Sequence, residues 1–362
     1  MKVLIYPESE NPHLELIYSE IRSSHTNDTF SYLQARPLNI IFLPLLLVAK
    51  RLIGYRVIHL HWPLFYINPN HGIPFSRCIS FIYSILCLAS IKLLGYKLIW
   101  TVHNVLPHER NTIDDRKVAS FLAAIASAKI VHSADTIKKM KQKKLNVKNT
   151  YMIPMASFHN VYPDNISDAS ARKKLGISKN EFVLLFFGAI RPYKGVDDLL
   201  DVLTTISAPR VTLIIAGKGA SEELKENIKK AEKKIKIHFY DGFIENEDVA
   251  TYFRASDAVC LPFKAITTSG SVMLGMSFSR PVIAPRIGNV ADLPINTGYL
   301  YDPSKSNVLH ETIKFAIHDK KNLKRLGANA YAYVSALAWD KIAEQTYKLY
   351  QEVLKEPTKD RS

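Results

Sequence analysis

Cysteine is scarce in this chain of 362 residues, and the few that occur do not form a set. The three cysteines, Cys78, Cys87 and Cys260, show neither metal-ligand spacing nor a disulfide framework. The first residues, MKVLIYPESE, turn acidic where a signal peptide would continue as an apolar core. We therefore expect a reduced, cytoplasmic setting.

Several motifs of phosphate, metal and nucleic-acid chemistry are also missing. The chain has no GxxxxGK[ST] loop, and no GxGxxG fingerprint follows its first apolar run. No Asp-x-Asp pair follows an apolar strand, so we expect neither a metal nor another cofactor. Zinc-finger spacing and aromatic ribonucleoprotein motifs are absent, which argues against nucleic acid as a partner.

No apolar run reaches the roughly 20 residues of a membrane-spanning helix. Residues 38–49 are short and contain a proline, and residues 78–91 are about one helix long. Both segments are typical of buried core helices, but one of them could also rest on an anionic membrane leaflet, since basic residues lie beside them and the net charge is +15. These bases are Lys50, Arg51, Arg56, Lys92 and Lys97.

Apolar β-branched runs alternate with helical stretches along the chain, which is typical of α/β proteins with parallel sheets. The alternation restarts after the polar stretch Tyr162–Ser170, so we predict domains over 1–162 and 163–337, followed by residues 338–362. The predicted strands are Lys2–Tyr6, Arg56–Leu60, Lys97–Val102, Lys129–His132, Tyr151–Ile153, Phe182–Phe187, Val211–Ala216, Ile235–Phe239, Ala258–Leu261 and Pro281–Ala284. The predicted helices include Val118–Ser127, Val196–Thr205, Ser221–Lys233 and Val272–Ser279.

Ligands of open parallel sheets bind beyond the carboxyl ends of the strands, so the residues after each strand carry the functional signal. The run Phe182–Phe187 is followed by Gly188, Arg191, Lys194 and Gly195 and then by a helix. Glycines let the backbone approach a ligand, a helix start offers unpaired N–H groups, and the two bases add a planar fork and a point charge. This turn predicts a diphosphate site; the alternative is a solvated basic turn.

Two further turns have the composition of a phosphate-binding edge. Ser269, Gly270 and Ser271 precede or open a helix, where hydroxyl groups either cap the helix or bind phosphate oxygens. Gly217 ends another strand, and the turn that follows could equally well be a tight turn without a function. We expect these turns to face the two bases, so that basic side chains and a helix dipole neutralise the diphosphate in place of a metal.

Polar and aromatic side chains gather at the ends of two predicted strands in the N-terminal half. The motif HLHWP contains His59, His61 and Trp62, and the following motif contains His103 and Asn104. Histidine and glutamate are the residue types that take a proton from a hydroxyl group. The candidate bases are His103, His61, Glu109 and Glu8, which we do not rank. The candidate acceptor-binding residues are Asn11, His59, Trp62 and Asn104.

These segments, taken in order, resemble bacterial GT-B glycosyltransferases. The order HLHWP, HN with PHE, FGAIRPYKG, LPFK, SGS and RPVIAP is similar to that of family-4-like enzymes over nearly the whole chain. Within these enzymes it is most similar to β-mannosyltransferases that use GDP-mannose to assemble xanthan-type exopolysaccharide. The resemblance implies two facing Rossmann-like domains and a closing helix, from Trp339, that returns to the N-terminal domain.

The resemblance also implies roles for individual residues. Arg191 and Lys194 would bind the diphosphate of a nucleotide held by the C-terminal domain, with Ser269–Ser271 beside it. The nucleobase would lie near Phe243 and Ile244. His103 matches the histidine that lies close to the transferred sugar in family-4-like enzymes.

One departure from the family pattern bears on stereochemistry. Retaining family-4 enzymes carry two glutamates where this sequence has Ile266 and Leu274, and neither of these side chains can hydrogen-bond a sugar. The departure favours the inverting, β-mannosyltransferase-like group, in which a base on the acceptor side activates the hydroxyl.

We therefore expect a glycosyltransferase that moves a hexose, mannose from GDP-mannose, onto a lipid-linked oligosaccharide. We expect it in the cytoplasm, held peripherally at an anionic inner-membrane surface. Three alternatives remain open: a retaining enzyme that uses a UDP-sugar, a sugar-nucleotide epimerase or phosphorolytic enzyme of the same fold, and a membrane-surface binding protein without catalysis.

Overall fold

The chain forms two compact units. Unit 1 is Met1–Pro154 with Trp339–Ser362, and unit 2 is Met155–Ala338. A computed structural model of the protein describes residues 1–8, 12–34, 37–63, 75–107, 110–206 and 210–355. The division falls after Pro154, earlier than the predicted boundary, because Met155 and Phe158 already pack on the core of unit 2.

Unit 1 is a six-stranded parallel sheet covered by helices. Its strands are β1 (Lys2–Tyr6), β2 (Thr29–Tyr32), β3 (Val57–Leu60), β4 (Lys97–Thr101), β5 (Ala128–Val131) and β6 (Thr150–Met152). Its helices are α1 (Pro12–Ser24), α2 (Pro37–Ile41), α3 (Leu43–Leu52), α4 (Ser76–Leu93), α5 (Asp115–Ile125), α6 (Ala134–Gln142) and, from the end of the chain, α14 (Trp339–Lys355). The strand order is β2-β1-β3-β4-β5-β6. Every residue of β3 and β5 is buried, as expected of central strands with helices on both faces.

The closing helix packs against the N-terminal unit, as the resemblance implies. Its buried face includes Ile342, Leu349 and Tyr350. Tyr350 places its hydroxyl 3.2 Å from the hydroxyl of Tyr18 on α1, in the interior of unit 1. The predicted return of this helix to the N-terminal domain is therefore confirmed.

Unit 2 is a second six-stranded parallel sheet. Its strands are β7 (Phe182–Phe187), β8 (Val211–Gly217), β9 (Lys236–Asp241), β10 (Ala258–Cys260), β11 (Val282–Pro285) and β12 (Gly298–Tyr301). Its helices are α7 (Asp168–Lys174), α8 (Val196–Thr205), α9 (Glu222–Ala231), α10 (Asn246–Ala255), α11 (Gly270–Ser277), α12 (Val308–His318) and α13 (Lys320–Ser335). The strand order is β12-β11-β10-β7-β8-β9. The α/β architecture with two parallel sheets is the predicted one.

The strand order decides which turns of unit 2 are neighbours. Strands β10, β7, β8 and β9 lie side by side and run parallel, so the turns after their carboxyl ends share one edge of the sheet. The residues predicted to bind the donor lie in these four turns or at the start of the helices that follow them, except Gly217, which is the last residue of β8.

Candidate active site

The turn after β7 gathers two polar groups in front of a glycine. All six residues of β7 are buried, and Gly188 follows it with φ +105°, a conformation that side chains rarely tolerate. A Cβ atom at Gly188 would lie 2.8 Å from Ser271 Oγ and 3.3 Å from Lys194 Nζ. The hydroxyl of Ser271, on α11, and the ammonium of Lys194, in the β7 turn, therefore converge on the space where a side chain at Gly188 would lie.

Lys194 and Arg191 hold different positions in this turn. Lys194 is half-buried, and burial, with Arg191 nearby, lowers its pKa to about 8. Arg191 is exposed; its Nη1 donates to the Ile190 carbonyl at 2.9 Å and lies where a side chain at Gly219 would otherwise be. One base is enclosed at the turn and the other lies over the neighbouring turn, an arrangement that suits two phosphate groups.

Backbone hydrogen bonds join the four turns. The Gly188 N–H donates to Ala216 O at 2.9 Å, and the Gly242 N–H donates to Gly217 O at 3.2 Å. The Lys264 N–H, in the turn after β10, donates to Tyr193 O at 2.8 Å. These bonds fix the four turns relative to one another, so a ligand meets a preformed surface.

Gly195 permits the tight connection between the β7 turn and α8. It has φ +74°, and a Cβ atom there would lie 2.1 Å from the carbonyl oxygen of Pro262. Any other residue would push the β10 turn away. Gly195 therefore shapes the site through backbone packing, which is a different role from direct contact with a donor.

The three residues of the SGS segment, Ser269, Gly270 and Ser271, make different contacts. Ser269 caps α11, since its Oγ accepts from the Val272 N–H at 3.3 Å and its own N–H donates to Asn289 Oδ1. Gly270 packs near Met155 and Phe158, whereas Ser271 turns its hydroxyl towards Gly188.

The turn after β9 presents an exposed aromatic ring. Phe243 is 73% exposed, and Ile244 beside it packs partly on the core of unit 2. The Gly242 bond to Gly217 holds this turn against the β8 turn. An exposed ring next to a phosphate-type turn is a suitable platform for a nucleobase.

The positions of the two missing glutamates lie in the core. Ile266 is 4% exposed and Leu274, on α11, is 5% exposed, and both belong to the hydrophobic cluster of unit 2. They pack as apolar residues and bring no polar atom to the edge of the sheet.

A buried network of histidines and tyrosines lies at the carboxyl edge of the unit 1 sheet. His59, on β3, has its Nδ1 2.6 Å from the hydroxyls of both Tyr18 and Tyr350, and its Nε2 2.7 Å from Thr101 Oγ1. It is 1% exposed. Both ring nitrogens are used inside the unit, so His59 is a core residue and does not offer an atom to an acceptor, contrary to the prediction.

His61 and His103 continue this network towards the surface. His61, 2% exposed, lies 2.8 Å from the Tyr18 hydroxyl through Nε2 and 3.1 Å from His103 Nε2 through Nδ1. Trp62 stacks on the His103 ring at 4.5 Å between centroids. His61 therefore holds the ring of the half-buried His103 through Nε2, and Nδ1 of His103 takes no part in this contact.

Two further histidines, which no sequence motif links to the others, complete the cluster. His13, on α1, has its ring centroid 6.0 Å from that of His103, and His132, after β5, lies 5.5 Å from His103. Only the fold brings these positions together. Burial, followed by the mutual effect of the rings, holds the pKa values of His61 and His103 well below the usual range, which favours the neutral form of both rings.

The remaining residues predicted on the acceptor side are scattered or undescribed. Glu8 is exposed after β1, with its N–H donating to Leu33 O, and Asn104 is half-buried beside His103. Asn11 and Glu109 lie outside the described residues. Of the described candidates, His103 combines access with a fixed orientation.

No metal site is recognisable in the part of the chain that the structure describes. Across the described ranges, no three histidine, cysteine, aspartate or glutamate side chains are placed to hold an ion, and this includes the histidine cluster. These residues offer cationic and hydroxyl groups on unit 2 and neutral imidazoles on unit 1.

The fold is that of GT-B proteins, and part of unit 2 matches a family of glycosyltransferases. Residues 167–333 match the family described as Glycosyl transferases group 1. Among solved structures, sucrose-phosphate synthase from Thermosynechococcus elongatus has a TM-score of 0.77 at 18% identity over 98% of both chains. HepE from Anabaena, in complex with UDP-glucose, has a TM-score of 0.74 at 20% identity over 97% of this chain and 100% of that one. At these identities the likeness shows the fold.

Among relatives by sequence are two proteins of Xanthomonas campestris pv. campestris, each named GDP-mannose:glycolipid 4-beta-D-mannosyltransferase. They are 27% identical over 232 residues and 28% identical over 234 residues. Each alignment covers 64% of this chain and 61% of the relative, so the chain spans less than two thirds of their length.

Proposed function

We propose that this protein is a nucleotide-sugar glycosyltransferase that transfers mannose from GDP-mannose, with inversion, onto a lipid-linked oligosaccharide in exopolysaccharide or cell-surface assembly. The observation that carries the proposal is the convergence of the Lys194 ammonium and the Ser271 hydroxyl on Gly188, at an edge shared by four strands. The names of the two Xanthomonas relatives support the choice of donor and of a glycolipid acceptor.

In the proposed reaction, unit 2 stabilises the leaving group. The acceptor oxygen attacks the anomeric carbon, the bond from that carbon to the phosphate oxygen breaks, and GDP departs with the bonding electrons. Lys194 and Arg191 neutralise the charge that develops on the diphosphate, and we propose that these cations make a metal unnecessary. Phe243 stacks on the base, and Ser271 donates to a phosphate oxygen.

Unit 1 supplies the base. His103 takes the acceptor proton at Nδ1, while its Nε2 is held by His61, which is in turn held by Tyr18. A neutral imidazole with a fixed ring plane is the form that this step needs. The buried positions of Ile266 and Leu274 agree with inversion, because no carboxylate stands at either position.

A transfer assay tests the proposal. Purified protein, GDP-mannose labelled in the sugar and a lipid-linked oligosaccharide fraction are incubated, and the label is followed into the organic phase. We expect label transfer and a β linkage by NMR of the product. An α linkage would overturn inversion, transfer from UDP-sugars alone would overturn the donor, and donor turnover without any acceptor would indicate an epimerase.

The role of His103 is tested in the same assay. His103→Ala should reduce transfer by roughly 10²–10⁴-fold, the usual contribution of a general base. Binding of GDP should remain unchanged, because unit 2 carries the donor residues. Glu8→Gln is the matched control and should transfer normally; if it is instead the variant that loses activity, Glu8 is the base.

Because the proposed acceptor is a lipid, we also propose that the protein works at the cytoplasmic face of the inner membrane as a peripheral protein. Its net charge of +15 supports attraction to an anionic leaflet.

A further inference from the structure

The apolar face of two neighbouring helices in unit 1 stays uncovered. Most large apolar side chains that the described residues leave exposed lie between Ile41 and Leu93, although a folded unit normally buries such side chains. Leu52 and Phe75 are each 81% exposed and Leu93 is 79% exposed. The exposed set, here called the α3–α4 face, is Ile41, Phe42, Leu45, Val48, Leu52, Ile53, Phe75, Ile79, Ile82, Leu86 and Leu93.

The spacing of these residues makes the face continuous. Along α3 they recur at 45, 48 and 52, with Ile41 at the end of α2 before them, and along α4 they recur at 79, 82 and 86, with Phe75 just before the helix. The opposite stripes, with Leu43 and Leu47 on α3 and Cys87 and Leu88 on α4, are buried in the core.

The helices form one rigid layer. Tyr83 on α4 donates from its hydroxyl to Ile41 O, at the end of α2, at 2.8 Å. Arg51 on α3 donates to Leu94 O, after α4, at 2.8 Å, and the Tyr96 hydroxyl donates to Leu47 O at 2.7 Å. The exposed stripes therefore belong to a fixed surface and not to loose segments.

The stretch of sequence that contains these helices has charges of a single sign. From Asp28 to Glu109 the sequence contains no other aspartate or glutamate. The same stretch carries basic residues before, between and after the two helices, namely Arg36, Lys50, Arg51, Arg56, Arg77, Lys92 and Lys97. An apolar face in a basic, acid-free segment complements a surface with anionic headgroups over an apolar interior.

We infer that the α3–α4 face is a membrane-docking surface, which lies in the headgroup and upper acyl region of an anionic bilayer. The inference deepens the proposed function, on which it rests for the lipid-linked acceptor. A second copy of the chain fits less well, because pairing two such faces would bring their basic residues together.

The docking helices lie on the bilayer and do not cross it. Of the described helices, α4 has the length and composition that crossing requires, and a third of it (33%) is buried. That buried stripe includes Ser80, Ser84, Leu88 and Ile91 and packs among the core side chains of unit 1. If α4 left the sheet to span a membrane, the core would be exposed, so α4 can present only its outer stripe.

Vesicle flotation tests the surface without any nucleotide. The full-length protein should float with phosphatidylcholine vesicles that contain about a third phosphatidylglycerol, and much less with phosphatidylcholine alone. The double variant Ile82→Asp/Leu86→Asp should lose at least tenfold in partitioning. Lys92→Glu changes the charge by two units, and vesicle partitioning should fall about fivefold for each unit. High salt should reduce vesicle binding further.

Matched controls separate this surface from general stickiness and from misfolding. Met152→Asp, in unit 1, and Phe315→Asp, in unit 2, change side chains that are 58% and 61% exposed outside the face, and both should float like the unaltered protein. GDP should raise the melting temperature of all variants equally, because the donor residues are untouched. The inference would be overturned if the Ile82→Asp/Leu86→Asp variant floated as well as the unaltered protein. It would also be overturned if the unaltered protein bound no vesicles and formed a dimer that this variant does not form. Flotation without mannose transfer would leave the surface standing and reject the proposed function.

Discussion

The surroundings of Lys194 disfavour its charged form in the ligand-free protein, whereas an anionic ligand would favour it. Burial, and then Arg191, lower its pKa to about 8, so folding disfavours its ammonium form. Because the unfolded chain binds this proton more strongly, the charged lysine reduces stability at pH 7, and this penalty disappears only as the pH rises towards the unfolded pKa. A group that costs stability where it stands is a marker of function.

Replacement of Lys194 should therefore separate activity from stability. Lys194→Ala should lower transfer about a hundredfold or more, as loss of one charge-stabilising donor does. Lys194→Met should leave the melting temperature of the ligand-free protein unchanged or higher. Lys229→Ala, an exposed lysine on α9, is the control for charge alone and should behave as the unaltered protein. Near-normal turnover of Lys194→Ala would contradict the phosphate assignment.

The affinity for GDP should depend on pH through the same lysine. The diphosphate binds the ammonium form, so affinity should be full below about pH 8 and should fall above it, where an ordinary lysine would still be charged. In Lys194→Arg, whose guanidinium stays charged, the decline should be absent. Titration calorimetry between pH 6.5 and 9.5, on both proteins, measures this difference. The same decline in both would assign the pH dependence to another group.

The histidines show what sequence reasoning can and cannot find at the scale of residues. The cluster HLHWP with His103 was recognisable because the residues follow two strands that pair. The roles of His59 and His61 were not recognisable, because Tyr18 and Tyr350, which bond to them, come from helices at opposite ends of the chain. Burial, which separates a supporting histidine from a reactive one, depends on those distant contacts.

At the scale of elements, α14 is part of the interior of unit 1. Tyr350 is fully buried and its hydroxyl bonds to His59, while Tyr347, one turn earlier, bonds to Asp28 nearer the surface. Tyr350→Ala should lower the free energy of unfolding by about 3–5 kcal/mol, and Tyr350→Phe by about 1 kcal/mol. Urea unfolding, followed by circular dichroism, measures both changes. Tyr347→Phe is the matched control, with an effect below that of Tyr350→Phe; equal effects would contradict the buried role of Tyr350.

The central strands were predictable and two edge strands were not. The run Phe182–Phe187 is apolar throughout because both faces of β7 are covered, and this signal is strong in any sequence. Strands β2 (TFSY) and β12 (GYLY) lie at sheet edges, are short and are only partly buried, so their sequences carry little apolar signal. Their pairing depends on the neighbouring strand, which the local sequence does not encode.

At the scale of the whole molecule, the sequence predicted two α/β units and the returning helix, and the boundary was harder to place. Composition marked the polar stretch after Tyr162, but side-chain packing assigns Met155 and Phe158 to unit 2, and packing leaves no local compositional signal. The location of the four turns at a strand end was predictable because each follows an apolar run, whereas the order that makes their strands neighbours is shown by the structure. The α3–α4 face could be predicted only in part from the sequence. An apolar run does not show which of its side chains are buried in the core and which stay exposed.

Thermal unfolding with a panel of nucleotides tests the central claim most directly. A ligand at a hundred times its dissociation constant stabilises the native state by about 2.7 kcal/mol, which shifts the melting of a unit of this size by about 5–10 °C. We expect such a shift with GDP and GDP-mannose, little shift with UDP, ADP or their sugars, and none for any nucleotide in Lys194→Ala. A selective shift with UDP-sugars, or no shift with any nucleotide, would contradict it.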